Sequence, residues 1–468
     1  MLDKDSTELK QKPGFASSLF KWTGEFSNQE TEKAPSMSVF ILIWISQVLS
    51  LVGSRMTSFA LSIWLYQHTN SATQFTLLIL STTLPTIVIS PIAGVVVDRF
   101  PRRWIMIISD FCAGLCTLTI AWLFMNNHLE VWTLCLISAF NSSFSAFQAL
   151  AYSSATTLLV PKEQLGRASS MTQIRLAVAE ILSPVVATIL LVSVQIPGVV
   201  LIDLSTLCFA LLCLLVVNFR EVKTKEPETE EAGLFSSFWQ ELSFGWHYFI
   251  ERPGLIGLVV FIAITNFLIG GAEALTTPLV LSFASTEALG TISSIASSGM
   301  LVSSFIISIW GGPKRQMNLI FISMFFLGIF YILAGLRPNP ILFTISDFFI
   351  FFMVPIVNGA IQVIYQKKVA PEVQGKVFAF RIAVTQGFLP LSFLLAGPLA
   401  DRLFEPFMQA DGPAANTIGE IIGIGHGRGI GLMFVIMGLF SILFTFICYF
   451  YPHLRLVEEE LPDTIVDS

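Results

Sequence analysis

The chain has 468 residues, of which 54% are hydrophobic and 12% are charged, and its formal net charge is −6. Soluble globular domains carry about 25% charged residues, so this composition excludes a soluble protein and indicates a membrane protein. The six cysteines lie inside apolar segments without a C-x-x-C pair, and the five histidines lie apart from one another. We therefore expect no disulfide framework, no metal site and no other cofactor.

Twelve apolar segments follow one another along the chain, each close to or above the roughly 20 residues with which a helix crosses a membrane. They lie near residues 38–66, 74–97, 104–125, 131–159, 167–193, 197–218, 254–283, 288–311, 317–336, 341–366, 374–403 and 430–451. Their residues do not alternate between apolar and polar, as the strands of a membrane barrel would. We therefore predict an all-α membrane protein with about twelve transmembrane helices.

The basic residues of the connections set the orientation. Even-numbered connections contain "DRFPRR", "PKEQLGR", "REVKTK", "GPKRQ" and "QKKVAPEVQGK", whereas Arg337 is the only lysine or arginine in the first five odd-numbered ones. Lysine and arginine concentrate in cytoplasmic loops. The even connections and both termini are therefore predicted to be cytoplasmic.

The sixth connection is the longest within the apolar region and divides the spans into two sets of six. The segments 159–168 and 368–377, "LVPKEQLGRA" and "KVAPEVQGKV", resemble each other and predict two six-helix pseudo-repeats. The acidic run "EPETEE" and the tail "VEEELPD" are expected to be solvated. We predict a flexible cytoplasmic arm at 1–36, an N-terminal six-helix bundle at 37–219, a cytoplasmic linker with an amphipathic helix at 220–250, a C-terminal six-helix bundle at 251–452 and a cytoplasmic tail at 453–468.

The stretch "GVVVDRFPRRW" in the second connection carries a family resemblance. It resembles the signature loop of the major facilitator superfamily, G-x-x-x-D-R-x-G-R-R/K, although Pro101 stands where that pattern has glycine. The matching residues are Gly94, Asp98, Arg99, Arg102 and Arg103. Together with "VPKEQLGRASSMTQIRLAVAEILSP" and "VAPEVQGKVFAFRIAVTQGFLPLSFLLAGPLAD", the loop resembles the branch of macrolide-efflux and enterobactin-exporter-like proteins.

The resemblance implies a conformational latch. In the family, the acid of this loop lies near the cytoplasmic start of the eleventh span, so Asp98 is expected to face the backbone around residues 373–376. Free N–H groups and the helix dipole favour a negative charge there. Gly94 would allow close helix approach, and the three arginines would bridge helix ends and lipid headgroups. The alternative is that the arginines only fix the topology.

Ionisable residues inside spans cost about 2.5–3.5 kcal/mol on insertion scales, so each is a functional candidate. Those deep enough to lie near the expected central cavity are Glu273, Glu180, Arg175 and Arg55. Asp110, about seven residues into its span, is expected to pair with the arginine loop or a neighbouring helix end, and it is a further candidate among the central charges. Glu273 follows two glycines and precedes a proline, a pattern that predicts a bent helix beside the cavity, and it is our candidate for proton coupling. A hydrogen-bonded structural acid is the alternative. We expect Asp203, Asp347 and Arg381 to have structural roles.

The spans also contain candidates for ion pairs and for the lining of the cavity. Arg55 is expected to be the counter-charge of one acid, while Arg175 and Glu180, five apart on one helix, are expected to pair across helices. A few aromatic residues are candidates for lining a cavity that accepts an amphipathic guest: Phe59, Trp64, Phe144, Phe147 and Phe267.

The function predicted from the sequence is secondary active transport, with proton-coupled efflux of a macrolide-like drug, siderophore or secondary metabolite. A facilitator, an importer, a lipid flippase and a non-transporting scaffold or sensor are alternatives. The direction of transport rests on the resemblance to the efflux branch, because the fifth span keeps Pro184 but lacks the glycines that exporters of the superfamily share there. No P-loop is present, and we predict no enzymatic activity. The predicted partners are a small-molecule substrate, protons and membrane lipid, without nucleic acid. A monomer in the bacterial plasma (inner) membrane is expected.

Overall fold

The computed structural model describes residues 37–217, 243–313 and 315–461. Eleven helices in these ranges are long and apolar enough to cross a membrane. One of them, Leu165–Val216, has 52 residues and turns back at Gln195, where φ is 55° and ψ is −175°. This helix therefore supplies two spans, and the described ranges contain twelve. The predicted fold class is confirmed.

We number the spans α1 to α12. They are α1 Met37–Thr69, α2 Ala72–Arg99, α3 Arg102–Met125, α4 Val131–Leu159, α5 165–194, α6 196–216, α7 Pro253–Leu281, α8 Thr286–Trp310, α9 Gln316–Leu336, α10 Pro340–Lys368, α11 Gln374–Leu399 and α12 Arg428–Phe450. We call α1–α6 the N half and α7–α12 the C half. A π-helical turn, Ala400–Phe404, extends α11, and short helices Glu405–Phe407, Ile418–Ile422, Pro452–Arg455 and Val457–Glu460 complete the described chain.

The predicted arm at 1–36 lies outside the described residues, as do most of the predicted linker and the end of the tail. Residues 243–250 of the linker are helical and belong to the segment predicted as amphipathic. Phe249 on this helix is fully buried, with ring centroids 5.2 Å from Phe380 of α11 and 6.1 Å from Tyr365 of α10. The linker helix therefore rests on the cytoplasmic ends of the C half.

Helix packing repeats between the halves. In the N half, α4 packs on both α2 and α3, and α3 packs on α6. The helices six positions later make the same pairs, because α10 packs on both α8 and α9, and α9 packs on α12. This arrangement fits the internal duplication indicated by the two connecting segments.

The acidic tail is only in part solvated as expected, because Glu459 and Glu460 are exposed but Glu458 is not. Glu458 is half-buried, and its carboxylate accepts hydrogen bonds from the backbone N–H groups of Gln316 (3.1 Å) and Met317 (2.9 Å) at the start of α9. The Lys368 ammonium donates to the carbonyl oxygens of Glu458 and Leu461. Unpaired N–H groups at a helix start attract an acid, and this attraction, which the composition of the tail does not reveal, holds the segment against the C half.

The two halves meet along two helix pairs, α2 with α11 and α5 with α8. The Ser294 hydroxyl of α8 donates to the Ile181 carbonyl of α5 at 2.6 Å. Near the predicted extracellular ends, the Gln67 amide donates to the Thr286 hydroxyl at 2.9 Å. Within the described ranges, the hydrogen bonds that join the halves lie on this side, so the extracellular side is closed.

The cytoplasmic ends of the same helices stand apart. A Cβ atom placed on Gly94 of α2 or on Gly375 of α11 would have no neighbouring atom within 4 Å. A Cβ atom on Gly290 of α8, near the extracellular side, would overlap Pro184 and Thr188 of α5. The structure is therefore inward-facing, with a cavity between the halves that opens to the cytoplasm.

Candidate substrate and proton site

A salt bridge lies in the middle of the N half. Arg55 of α1 and Glu180 of α5 approach to 2.7 Å between Nη1 and Oε1, and their side chains are 50% and 47% exposed. A pair this exposed at mid-span faces a space that water can enter, because lipid would not solvate it. The structure thus supplies the counter-charge of Arg55 and gives Glu180 a partner on another helix.

Glu273 lies across the cavity from this pair. It is exposed on α7 of the C half and interacts electrostatically with both Glu180 and Arg55. The three side chains, predicted separately from their positions in the spans, are therefore within electrostatic range of one another. We call this group, to which both halves contribute, the cluster. With all three ionised, the cluster carries one net negative charge, and protonation of one acid neutralises it.

Behind Glu273, the C half contains a buried polar group that the sequence reasoning had assigned to structure alone. Asp347 of α10 is 4% exposed and interacts electrostatically with Glu273, and Tyr331 of α9 lies within range of both acids. Asp347 therefore lies within electrostatic range of Glu273. Its position, about seven residues from a span end, did not indicate this because depth in one helix does not show which helix packs beside it.

Asp110 belongs to a buried network in the N half. The Gln47 amide of α1 donates to Asp110 Oδ2 at 3.3 Å, and the Gln148 amide of α4 donates to Gln47 Oε1. The Arg175 guanidinium stacks on the Tyr152 ring at 4.3 Å and interacts with Asp110. Sequence reasoning missed Gln47, Gln148 and Tyr152 because it counted only charges, although two amides inside apolar spans were a visible signal.

The C half contains a similar arrangement. The Arg381 guanidinium of α11 lies 4.7 Å from the Tyr365 ring centroid of α10 and donates to Gln362 Oε1 at 3.2 Å. In both halves an arginine of the fifth or eleventh span therefore stacks on a tyrosine of the preceding span. Stacking of this kind stabilises a cation away from bulk water, so each arginine packs two neighbouring helices of its half together.

The arginines predicted to belong to a latch make contacts near the cytoplasmic ends of the N half. Arg102 Nε donates to the Ser154 hydroxyl of α4 at 3.1 Å, and Arg103 donates to the Leu214 and Leu215 carbonyl oxygens at the end of α6, at 3.0 and 2.6 Å. These contacts stay inside the N half. Asp98 and Arg99 are exposed, so the latch role expected of them stays a prediction.

The five aromatic candidates have different surroundings. Phe59 packs where both halves contribute to the core, and Phe267 is half-buried on α7. Phe147 packs against the N-half core. Trp64 stacks on His68 with ring centroids 5.3 Å apart and meets Phe124 edge to face at 5.6 Å in the same half. Phe144 lines a groove between α3 and α4. Phe59 and Phe267 therefore have the positions that best suit a cavity between the halves.

Two six-helix halves that close on one side around a charged central cavity define a membrane transporter of the alternating-access type. The family model described as Major Facilitator Superfamily matches residues 43–389. The chain therefore belongs to the major facilitator superfamily, and it is an integral, multi-pass membrane transporter and not an enzyme.

Similar proteins include efflux pumps. Macrolide efflux protein A of Streptococcus pyogenes is 29% identical over 377 residues, which cover 78% of this chain and 90% of that protein. The multidrug efflux pump Tap of Mycobacterium tuberculosis is 22% identical over 77% of this chain and 86% of its own length. Among solved structures, a bacterial homologue of the human lysosomal transporter Spinster has a TM-score of 0.66, with 13% identity over 90% of this chain and 97% of that one.

Proposed function

We propose that the chain is a proton-driven exporter of a small amphipathic molecule, such as a macrolide-like drug, a siderophore or a secondary metabolite. The observation that carries the proposal is the cluster of Arg55, Glu180 and Glu273, which both halves build in an inward-facing cavity. The direction of transport rests on the similarity to proteins named as efflux pumps. Protons would be the coupling ion, and lipid would surround a single copy of the chain.

The charge of the cluster gives a physical reason for antiport. While both acids are ionised, the net negative charge attracts a cationic or strongly polar part of a substrate from the cytoplasm. After the halves rock and the substrate leaves, a proton from outside neutralises the cluster. The change back to the inward-facing state takes the cluster through an intermediate closed off from water. This change costs less free energy when the cluster is neutral than when it is charged. Substrate and proton then occupy the same site in alternation.

The test uses everted membrane vesicles from cells that produce the protein, with an acidic interior generated by respiration. A panel of macrolides, siderophores and fluorescent amphipaths is added, and the pH gradient is followed by the fluorescence of a weak base. Wild-type protein is expected to dissipate the gradient with at least one compound, and Glu273→Gln is expected to abolish this effect. Glu287→Gln, an exposed acid at the extracellular start of α8, is the matched control and should behave as wild type.

Other outcomes assign other functions. A compound that is carried at equal rates with and without a gradient identifies a facilitator, and accumulation in right-side-out vesicles identifies an importer. A fluorescent lipid that crosses the bilayer only in the presence of the protein identifies a flippase. If Glu273→Gln matches wild type while protons still move, the proton site is elsewhere and Glu180 or Asp110 becomes the candidate.

A further inference from the structure

The pattern Gly-x-x-x-Asp-Arg occurs at two opposite ends of the α2–α11 pair. One copy, Gly94 to Arg99, ends α2 on the cytoplasmic side, and the other, Gly397 to Arg402, ends α11 on the extracellular side. The two helices run antiparallel, because α2 enters from outside and α11 from inside. The end of each helix therefore lies near the start of the other.

Asp401 caps the start of α2. Its Oδ2 accepts hydrogen bonds from the Ser71 hydroxyl at 2.7 Å and from the Thr73 N–H at 2.8 Å, and its Oδ1 accepts one from the Ala72 N–H at 3.0 Å. The first turn of a helix has N–H groups without intrahelical partners and a positive dipole end, so a carboxylate satisfies both requirements. Asp401 belongs to the C half and its three donors belong to the N half, so these bonds cross the boundary that must open during transport.

Gly397 permits this contact. A Cβ atom there would lie 2.5 Å from the Thr73 Cα atom and 2.8 Å from the Ala72 carbonyl oxygen, closer than any side chain tolerates. At Gly94, the equivalent position of the first copy, a Cβ atom would meet nothing within 4 Å. The second copy is therefore engaged and the first is disengaged in the same structure.

We propose that Asp401 and Gly397 form an extracellular latch that is reciprocal to the cytoplasmic latch proposed for Asp98 and Gly94. In the inward-facing state Asp401 caps α2, and in the outward-facing state Asp98 caps α11. One interface opens as the other closes, so only one acid is engaged at a time. Asp401 is a positioning residue, since it acts through the start of α2 and not on the transported molecule.

Hydrogen–deuterium exchange of the full-length protein in lipid nanodiscs tests the proposal without a known substrate. The start of α2 and the start of α11 are followed in peptides that cover residues 66–78 and 370–380. In Asp401→Asn, exchange at the start of α2 is expected to rise about fivefold, while exchange at the start of α11 falls because the outward-facing population grows. Asp98→Asn is expected to change both peptides in the opposite direction.

Two further variants separate a latch from a local cap. Ser71→Ala removes one of the three donors to Asp401 and also the hydroxyl that accepts from the Gln74 N–H, so its diagnostic readout is the start of α11, where exchange should fall less than in Asp401→Asn. Asp411→Asn, an exposed acid in the same extracellular connection, should leave both peptides unchanged. If Asp401→Asn speeds exchange at the start of α2 but leaves the start of α11 at the wild-type rate, Asp401 only caps a helix and the proposal is wrong. If Asp401→Asn changes both peptides but Asp98→Asn changes neither, the two latches are not reciprocal and the proposal is wrong. The transport function proposed above is unaffected by this result.

Discussion

Arg55 and Glu180 form a salt bridge of 2.7 Å across two helices of the N half, and both remain about half exposed in a cavity at mid-span. An ion pair that solvent reaches contributes at most about 1 kcal/mol to stability. The pair is therefore poorly suited to holding the fold together. Its placement opposite Glu273 suits it to setting the charge of the cavity instead.

Glu180→Gln is expected to leave folding nearly unchanged and to weaken binding of a cationic substrate. The variant frees Arg55 to interact with Glu273, so the net negative charge of the cluster disappears, and affinity should fall on the order of tenfold, within the usual range for coupled sites. The measurement is titration of purified protein with a macrolide that the vesicle assay selects. The charge-swapped protein, Arg55→Glu with Glu180→Arg, should regain part of the affinity, whereas an unaltered affinity in Glu180→Gln alone contradicts the prediction.

Asp110→Leu is expected to destabilise the protein by about 3–5 kcal/mol, because it leaves both the buried Gln47 amide without its acceptor and the buried Arg175 without its nearby acid. Asp110→Asn should cost less, because it removes the charge near Arg175 but keeps a side-chain oxygen that accepts a hydrogen bond from Gln47. Size-exclusion profiles and apparent melting temperatures in detergent distinguish the two. Asp411→Asn replaces an exposed acid in an extracellular connection and serves as the control with unchanged stability. Equal losses for Asp110→Leu and Asp110→Asn would mean that charge, and not the hydrogen bond, dominates.

Gly290→Leu is expected to keep the extracellular side from closing. A Cβ atom at Gly290 already lies 2.7 Å from the Pro184 carbonyl oxygen, so a larger side chain must push α8 away from α5. A cysteine introduced by Gln67→Cys should then react several times faster with a membrane-impermeant maleimide added outside. Gly166→Leu, at a glycine with no neighbouring atom within 4 Å, is the control. An unchanged labelling rate in Gly290→Leu would show that α5 and α8 accommodate the larger side chain and still close the extracellular side, which contradicts the prediction.

Glu458→Gln is expected to lower stability by about 1 kcal/mol, the usual contribution of a helix cap, because the charged acceptor at the start of α9 is lost. For a chain of this size, the apparent melting temperature should fall by about 2 °C. Glu459→Gln is the neighbouring control, because its salt bridge with Arg315 joins two exposed side chains and contributes little. If Glu458→Gln and Glu459→Gln have the same apparent melting temperature, the cap on α9 is not a stabilising contact.

The sequence predicted the membrane architecture well because each span carries its own evidence. A run of apolar residues long enough to cross a bilayer does not depend on what packs beside it. The fourth span was predicted at 131–159 and found at Val131–Leu159. The turn between the fifth and sixth spans was predicted between residues 193 and 197, and the chain reverses at Gln195.

The contacts between helices were less accessible to sequence reasoning. Asp401 lies at the end of a predicted span, and Glu458 lies in a segment whose composition predicted solvation. Each nevertheless accepts hydrogen bonds from two backbone N–H groups at the start of a distant helix. A free helix start looks the same in the sequence whether an acid reaches it or not. Gln47 and Gln148 were missed because an uncharged amide does not interrupt an apolar segment, although burial obliges it to find a partner.

The hydrogen bonds of Asp401 can form only late in the synthesis of the chain. Asp401 is separated by 328 to 330 residues from the three groups that it binds. At a synthesis rate of about 5–20 residues per second, roughly 15 to 65 seconds pass between the emergence of α2 and that of its cap. During this time a nascent N half waits in the membrane with the first turn of α2 open to water or to other acids, and a chain stopped before α11 can never complete its outer face.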